Sequence, residues 1–572
     1  MEPQLIKYLE EHWNKDLASK LQFSIVPKDK GGDLAVNFFA LTKALGKNPL
    51  EIGSEVQKAL EVCPLVEKSQ MVGPYLNLYL VADQFFQDVL ETPIEGKILK
   101  GKTIMVEYSG PNTNKPLHLG HMRNHALGIS LCALFEAAGA KVHRVNILND
   151  KGLALAKSML AYDHFGEGKT PESEGIKPDL FAGNWYVRYD LESKKNPELE
   201  KELPEIMRKW EAGDPYWQGL WKKMTDWVLA GVRQTYQRQG VWFDKEYRES
   251  AHYERGREFA YEGLKKGVFQ QKEDGSIYID LKDLDMGEKT VLRSDGTAIY
   301  LTQDLSLWPI RKKDFGHIDE MIHVVGDEQD YYFKTVFESL RKLDLAGDTK
   351  FTFYGYGLVN LPTGRMKSRE GTVVDADNLM DELAAAAAEK LAEQGKFNAE
   401  ETHATSEQVM NAAWKFFLLK TSPTKSITFD AQKSVDFQGD SGPYLQYAGV
   451  RIKSIFEKAG FDLKTGLESR PVLADLEFTE AEKPLGVKIL QWPHVLERAA
   501  ENENPTFIVT YLLELAQAWS SFYGQSSILN AENEALKKAR LALAAKTYHV
   551  LEKGLAILGI EIPEKMGSSL NT

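Results

Sequence analysis

Two imidazoles stand three residues apart in the run HLGH, His118 to His121. The run KTIMVEYS before them reads as a buried strand, and GPNTNKP reads as a turn-rich loop. LGHMRNHALGISLCALFEAAG then reads as a helix closed by Gly139. The histidines therefore sit at a helix N-terminus, where free N–H groups and the helix dipole favour anions. Gly120 lets a flat group or a phosphate approach the backbone closely. Two imidazoles so placed can donate hydrogen bonds to a triphosphate as charge develops at its α-phosphorus. That chemistry is nucleotidyl transfer from ATP. A bare His-x-Gly-His also recurs by chance as a helix start with two surface histidines, and its place between strand and helix weighs against this reading. A second polar stretch, LPTGRMKSREGTVV, gathers Arg365, Lys367 and Arg369 with Met366, Ser368 and Gly371. Loops of this kind close over phosphates. Taken alone, a solvated basic loop is the more ordinary reading.

The elements that must position these groups follow the same pattern. KVHRVNIL reads as a second strand, so strand, loop, helix and strand form a βαβ unit in a parallel sheet. From about Asn149 to Tyr253 the chain turns charged and Trp/Tyr-rich with helical spacing, and reads as an insertion. Strand patterns return at GSIYIDL, TAIYLT, EMIHVVG and FTFYGYG. From about Ser406 onward the period is helical, which predicts an all-α bundle. Residues 1–99 read as a small α+β module. The expected architecture is α/β plus α: a parallel-sheet domain over 100–405 with a helical insertion about 151–255, and a helical domain over 406–572.

At 572 residues the chain has room for several cores, roughly three or four domains. No apolar run reaches the ~18 residues of a membrane span. The acidic, amphipathic start MEPQLIKYLEEHW lacks the pattern of a secretory signal. Two cysteines, Cys63 and Cys132, argue against a disulfide framework and a Cys-rich zinc site. A cytoplasmic protein is expected. The net charge of −13 does not exclude a nucleic-acid partner, because a basic groove on an acidic body is enough to hold phosphates.

Together these runs resemble the class I aminoacyl-tRNA synthetases. HLGH matches their His-Ile-Gly-His element, and RMKSR stands where they carry Lys-Met-Ser-Lys-Ser. SGPNTNKPLHLGH, LRSDGTAIYLTQDL, VVGDEQD and DSGPYLQYAGVRI narrow the resemblance to the arginyl-tRNA synthetases, over essentially the whole chain. The resemblance implies a Rossmann-like catalytic domain around His118, His121, Gly120 and Pro116. It implies arginine contacts at Glu107, Asn112, Tyr300, Asp304 and Gln329, with Glu249 a weaker member. Tyr300 and Asp304 would read the guanidinium, because a carboxylate accepting forked N–H bonds is the natural selector of arginine. Gln329 would hold the α-amino group. Two departures stand out. Arg365 and Lys367 replace the first lysine and the serine of the second motif. The resemblance extends to family members that lack that lysine and use one just before the histidine pair, which implies that Lys115, assisted by Lys367 or Arg369, meets the pyrophosphate. After the second strand the chain continues NDKGLALAK, where the family more often has a Gln.

The C-terminal part resembles the family's anticodon-binding domain, with Gln446, Tyr447 and Arg451 on one helix suited to unstacked bases. Tyr444 reads as a core aromatic. The N-terminal module resembles the domain the family uses on the tRNA elbow, where Asn77 would read a base edge or, equally, bond its own backbone. The implied reaction joins L-arginine to tRNA through an arginyl-adenylate, with Mg²⁺ accompanying ATP on phosphates and water rather than on a protein metal site. tRNA would bind before activation, no editing domain is implied, and a monomer is expected. The alternatives are another class I synthetase, a small nucleotidyltransferase, which chain length opposes, and a non-catalytic RNA-binding paralogue. The last should have lost the histidines or acids that this chain keeps.

Overall fold

The structure, a computed structural model, describes residues 2–26, 31–362, 374–393, 398–463 and 482–566. Its N-terminal module is an antiparallel sheet of β1 (Gln22–Ile25), β2 (Leu34–Asn37), β3 (Val66–Val72) and β4 (Tyr75–Leu80), in the order β1-β2-β4-β3. Helix Pro49–Leu60 starts from a capping box in which Asn48 and Glu51 bond each other's backbone N–H groups. It buries Ile52, Val56 and Leu60, spaced four apart, against this sheet.

The central domain holds the expected parallel sheet. Its strands are β5 (Thr103–Glu107), β6 (Lys141–Leu148), β7 (Lys245–Arg248), β11 (Glu320–Gly326) and β12 (Lys350–Tyr356), ordered β12-β11-β5-β6-β7. All four pairings are parallel. The chain runs outward from β5 to β7 and then crosses back to β11, so the order reverses between β5 and β11. Such a switch point leaves a crevice at the carboxyl ends of the strands. In β5 the side chains of Ile104, Met105 and Val106 are all buried, as expected of a strand covered on both faces. One core joins helix Leu119–Ala137 on one face to the C-terminal bundle, and a second fills the other face around Met105, Met321 and Trp308.

Four features differ from those read in the sequence. Inserted helices run from Leu153 to Gln239, and β7, inside the expected insertion, is the sheet's edge strand. GSIYIDL forms β9 (Ile277–Asp280) of a separate antiparallel sheet, with β8 (Phe269–Gln271) and β10 (Glu288–Leu292). TAIYLT is no strand, for a helix begins at Tyr300 and runs to Phe315. Its buried Leu301 and Leu305 stand one turn apart, a helical period that a six-residue window ending at Thr302 cannot show. The bundle also begins earlier, since helix Ala399–Leu419 is started by a capping box between Asn398 and Glu401. A domain boundary at 405/406 falls inside that helix because its first turns are polar and carry no apolar rhythm. Among the described residues no helix is long and apolar enough to cross a membrane.

Candidate active site

The turn after β5 places the rest of the site. Ser109 adopts φ +79°, unusual for a side-chain-bearing residue, and its neighbours hold it there. Its N–H donates to Asn124 Oδ1 at 2.5 Å, and the Gly110 N–H donates to Asn146 Oδ1 at 2.9 Å. His125 Nδ1 donates to Gln239 Oε1 at 2.6 Å, which leaves Nε2 to accept the Ser109 hydroxyl at 2.8 Å. Tyr236 OH completes the chain on Ser109 Oγ at 2.6 Å. Burial pushes the His125 imidazole down to about 4, so this buried wiring stays neutral.

His118 caps helix Leu119–Ala137, and its Nδ1 accepts the Gly120 N–H at 3.1 Å. His121 Nδ1 accepts the His118 N–H, also at 3.1 Å. With both Nδ1 atoms accepting, each ring carries its proton on Nε2. The rings lie 4.0 Å apart between centroids. Burial, and then the Lys115 charge, push His118 down to about 4, and burial holds His121 well below the ordinary histidine range. Both are neutral N–H donors at physiological pH. Gly120 lines the cavity, and it also has a packing reason beside the close approach expected from the sequence. A Cβ there would lie 2.9 Å from His118 Cε1, so the missing side chain makes room for the imidazole.

The histidines open onto a cavity of about 1200 Å³ at the carboxyl ends of β5 and β11. His118, Gly120, His121 and Lys115 line one part of it, Tyr300, Asp304 and Gln329 another, and Glu107 and Asn112 belong to its wall too. These expected residues are therefore gathered in one space. Pro116 is not on the wall; it backs against Gly183 of helix Pro178–Ser193. Lys115 has no hydrogen-bond or ion-pair partner among the described residues, and burial lowers its pKa. Leu119 N–H donates to Val374 O at 3.1 Å and Ala376 N–H to Leu117 O at 3.0 Å, stitching segment 374–376 to the histidine segment. Arg365, Met366, Lys367, Ser368, Arg369 and Gly371 lie outside the described residues.

At the acidic part, Tyr300 and Asp304 stand one turn apart at the start of helix Tyr300–Phe315. Tyr332 donates its hydroxyl to Asp304 Oδ2. Glu249, the weaker candidate, is not on the cavity wall; it is the first residue of helix Glu249–Lys265, is 6% exposed and bonds Gln303, with Oε2 unpartnered among the described residues. Burial raises Asp304 to about 6 and Glu249 to about 7. Both acids are therefore protonated more readily than free carboxylates. Glu107 differs from expectation. Its carboxylate pairs with buried Arg311, so it meets the cavity already charge-matched. Gln329 ends the short helical turn after β11 and is exposed to the cavity. Sequence reading missed Tyr332, Gln303, Asn124 and Asn360 on this wall. Only Tyr332 carried a signal, three residues after Gln329 and thus on the same helical face.

The residues expected to touch tRNA divide. Asn77 lies on an inner strand, is 3% exposed and donates to Gly31 O at 2.7 Å, so its amide holds a turn instead of facing a base. Gln446 is fully buried and donates to Gln408 O at 3.1 Å and Glu561 O at 2.7 Å, binding three chain segments together. Tyr447 and Arg451 remain partly exposed, with the Arg451 guanidinium 5.6 Å from the Tyr447 ring and 4.9 Å from that of Tyr523. Tyr444 is partly buried and packs against the core, as read from sequence.

A parallel sheet with paired imidazoles at a helix N-terminus over its switch point is the arrangement of a class I synthetase catalytic domain. Residues 87–431 match the family profile described as "tRNA synthetases class I (R), catalytic domain". Residues 4–80 match "Arginyl tRNA synthetase N terminal domain" and 445–566 match "DALR anticodon binding domain". The chain is 40% identical over 570 residues to the arginine–tRNA ligase of Treponema denticola, covering 97% of this chain and 96% of that protein. It is 38% identical over 584 residues to that of Flavobacterium psychrophilum, covering 96% of each. Among solved structures, the Thermus thermophilus arginyl-tRNA synthetase superimposes with a TM-score of 0.80 at 26% identity, over 98% of this chain and 100% of that one. The chain belongs to the arginyl-tRNA synthetase family.

Proposed function

We propose that the protein is an ATP-dependent ligase that joins L-arginine to the 3′ end of its cognate tRNA. The observation that carries the reading is a single cavity lined both by neutral N–H donors with a lysine and by the acid Asp304 with the phenols of Tyr300 and Tyr332, Glu249 being buried next to Asp304. The first suits phosphate, the second a guanidinium.

A carboxylate oxygen of arginine attacks the α-phosphorus of ATP. The bond from that phosphorus to the bridging oxygen breaks, and pyrophosphate leaves with the electron pair. The Nε2–H groups of His118 and His121 donate to charge growing on the phosphate oxygens, and Lys115 meets the departing pyrophosphate as a point charge. Asp304 and Tyr300, with Glu249 behind them, hold the guanidinium; Gln329 and Asn112 orient the α-amino end. The 3′-terminal ribose hydroxyl then attacks the anhydride carbon, its proton passes to a phosphate oxygen, and AMP leaves with the electron pair of the broken acyl C–O bond. Mg²⁺ would arrive on the nucleotide and neutralise phosphate charge. Tyr447, Arg451 and Tyr523 offer stacking faces and a cation for unstacked tRNA bases. Buried, unpaired Cys63 and Cys132 suit the reducing cytoplasm. Charging of unfractionated tRNA with each labelled amino acid, with and without ATP, tests the reading. Arginine alone should be esterified, and only with ATP; esterification of another amino acid would replace the substrate.

A further inference from the structure

The geometry points to Tyr332 as a positioning residue for arginine selection, its phenol setting the carboxylate plane of Asp304 for the incoming guanidinium. This deepens the arginine-ligase reading and rests on it. Tyr332 lies in the first turn of helix Asp330–Lys342 and Asp304 in the first turn of helix Tyr300–Phe315, two helices that pack together. The hydroxyl donates to Asp304 Oδ2, and among the described residues that is the only hydrogen bond the Asp304 side chain receives. An aspartate's terminal torsion is broad, so a carboxylate with no fixed partner samples many planes. A forked N–H pair needs one plane. With Oδ2 tethered on one side, the carboxylate presents a fixed edge to the cavity.

Tyr332 is suited to the task. Its ring stands edge-on to Phe333, at 5.4 Å between centroids and 87° between planes. Burial and the Asp304 charge hold the phenol well above the ordinary tyrosine range, so it donates at every working pH. Among the described residues, Glu249 of helix Glu249–Lys265 also acts on Asp304, with the charges of Asp150 and Lys151 near it, and Tyr300, near Arg293, lies one turn before Asp304 on the same helix. None of them gives Asp304 a hydrogen bond in the structure. The phenol also lowers the pKa of Asp304, against the larger effect of burial, so its loss would move that acid further up.

The test is Tyr332→Phe in the full chain, assayed by arginine-dependent ATP–pyrophosphate exchange with tRNA present. KM for arginine should rise on the order of 10-fold, as for a lost hydrogen bond to a charged group. kcat and the KM for ATP should stay within about twofold on the same argument, since the phenol lies away from the phosphates. The acidic limb of kcat/KM for arginine should move to higher pH, a shift that loosened packing alone would not cause. In an Asp304→Asn background the Tyr332→Phe penalty should vanish, because the phenol acts through that carboxylate. An unchanged arginine KM and pH limb, a loss confined to kcat or to ATP, or a full penalty retained in the Asp304→Asn background would each overturn the assignment. Wild-type protein that fails to load arginine would remove the parent reading. Wild-type protein that loads arginine while Tyr332→Phe matches it would remove only the role of Tyr332.

Discussion

The acidic and histidine parts of the cavity are both buried, both perturbed, and tuned in opposite senses. Around Asp304 and Glu249, burial pushes carboxyls up to about 6 and about 7, into the range where they are partly protonated and poised to ionise when a cation arrives. Around His118 and His121 the same burial pushes imidazoles down, so both rings are neutral at physiological pH. Low dielectric therefore does different work according to the group it surrounds. It leaves the acids waiting for their ligand, and it fixes the imidazoles as donors whose Nδ1 atoms are committed to backbone N–H groups. The acidic part should therefore make arginine binding respond to pH.

The largest effect is expected where a charge would be left unmatched. Asp304→Asn should raise the arginine KM by the equivalent of roughly 3–5 kcal/mol, because the guanidinium would be buried without its carboxylate. Steady-state kinetics should show this, together with eroded rejection of citrulline; normal charging would move the reading of the guanidinium to Glu249. Next comes the histidine pair. His118→Ala or His121→Ala should slow adenylate formation by about 2.7–4 kcal/mol while arginine affinity holds, since the donors act on charge that develops late. Lys115→Ala should impair ATP–pyrophosphate exchange about as much as either histidine, and Lys367→Ala less. The reverse order would give the pyrophosphate to the loop.

How far these assignments could be read from sequence follows the kind of contact involved. The histidine motif, its strand and its helix were legible because cap, period and turn residues are local. The placing of Tyr300 and Asp304 on one helical turn was half legible, since the same apolar spacing fits a short strand in a six-residue window. The partnership of Glu107 with Arg311, 204 residues away, was not legible, because only the packing of a helix over β5 brings them together. Gln446 was misjudged for the same reason. Helical spacing gives the face a residue lies on, and not whether a returning C-terminal segment covers it. That difference gives the smallest expected effect. Gln446→Ala should lower stability by about 1–3 kcal/mol, the cost of orphaned buried carbonyls, with the tRNA KM unmoved. Tyr447→Ala and Arg451→Ala should do the opposite, and paired thermal unfolding and charging curves would separate the two classes.

The opposite tuning of the cavity is tested most directly by arginine binding calorimetry at pH 6.5 in buffers of different ionisation enthalpy. The guanidinium favours the ionised forms of Asp304 and Glu249, whose free-site values of about 6 and about 7 leave them partly protonated at that pH. Arginine binding should therefore release protons at pH 6.5, and the release should fade by pH 8 as both acids ionise beforehand. Binding without proton release at pH 6.5, at an affinity that does not weaken from pH 8 to pH 6, would contradict the account.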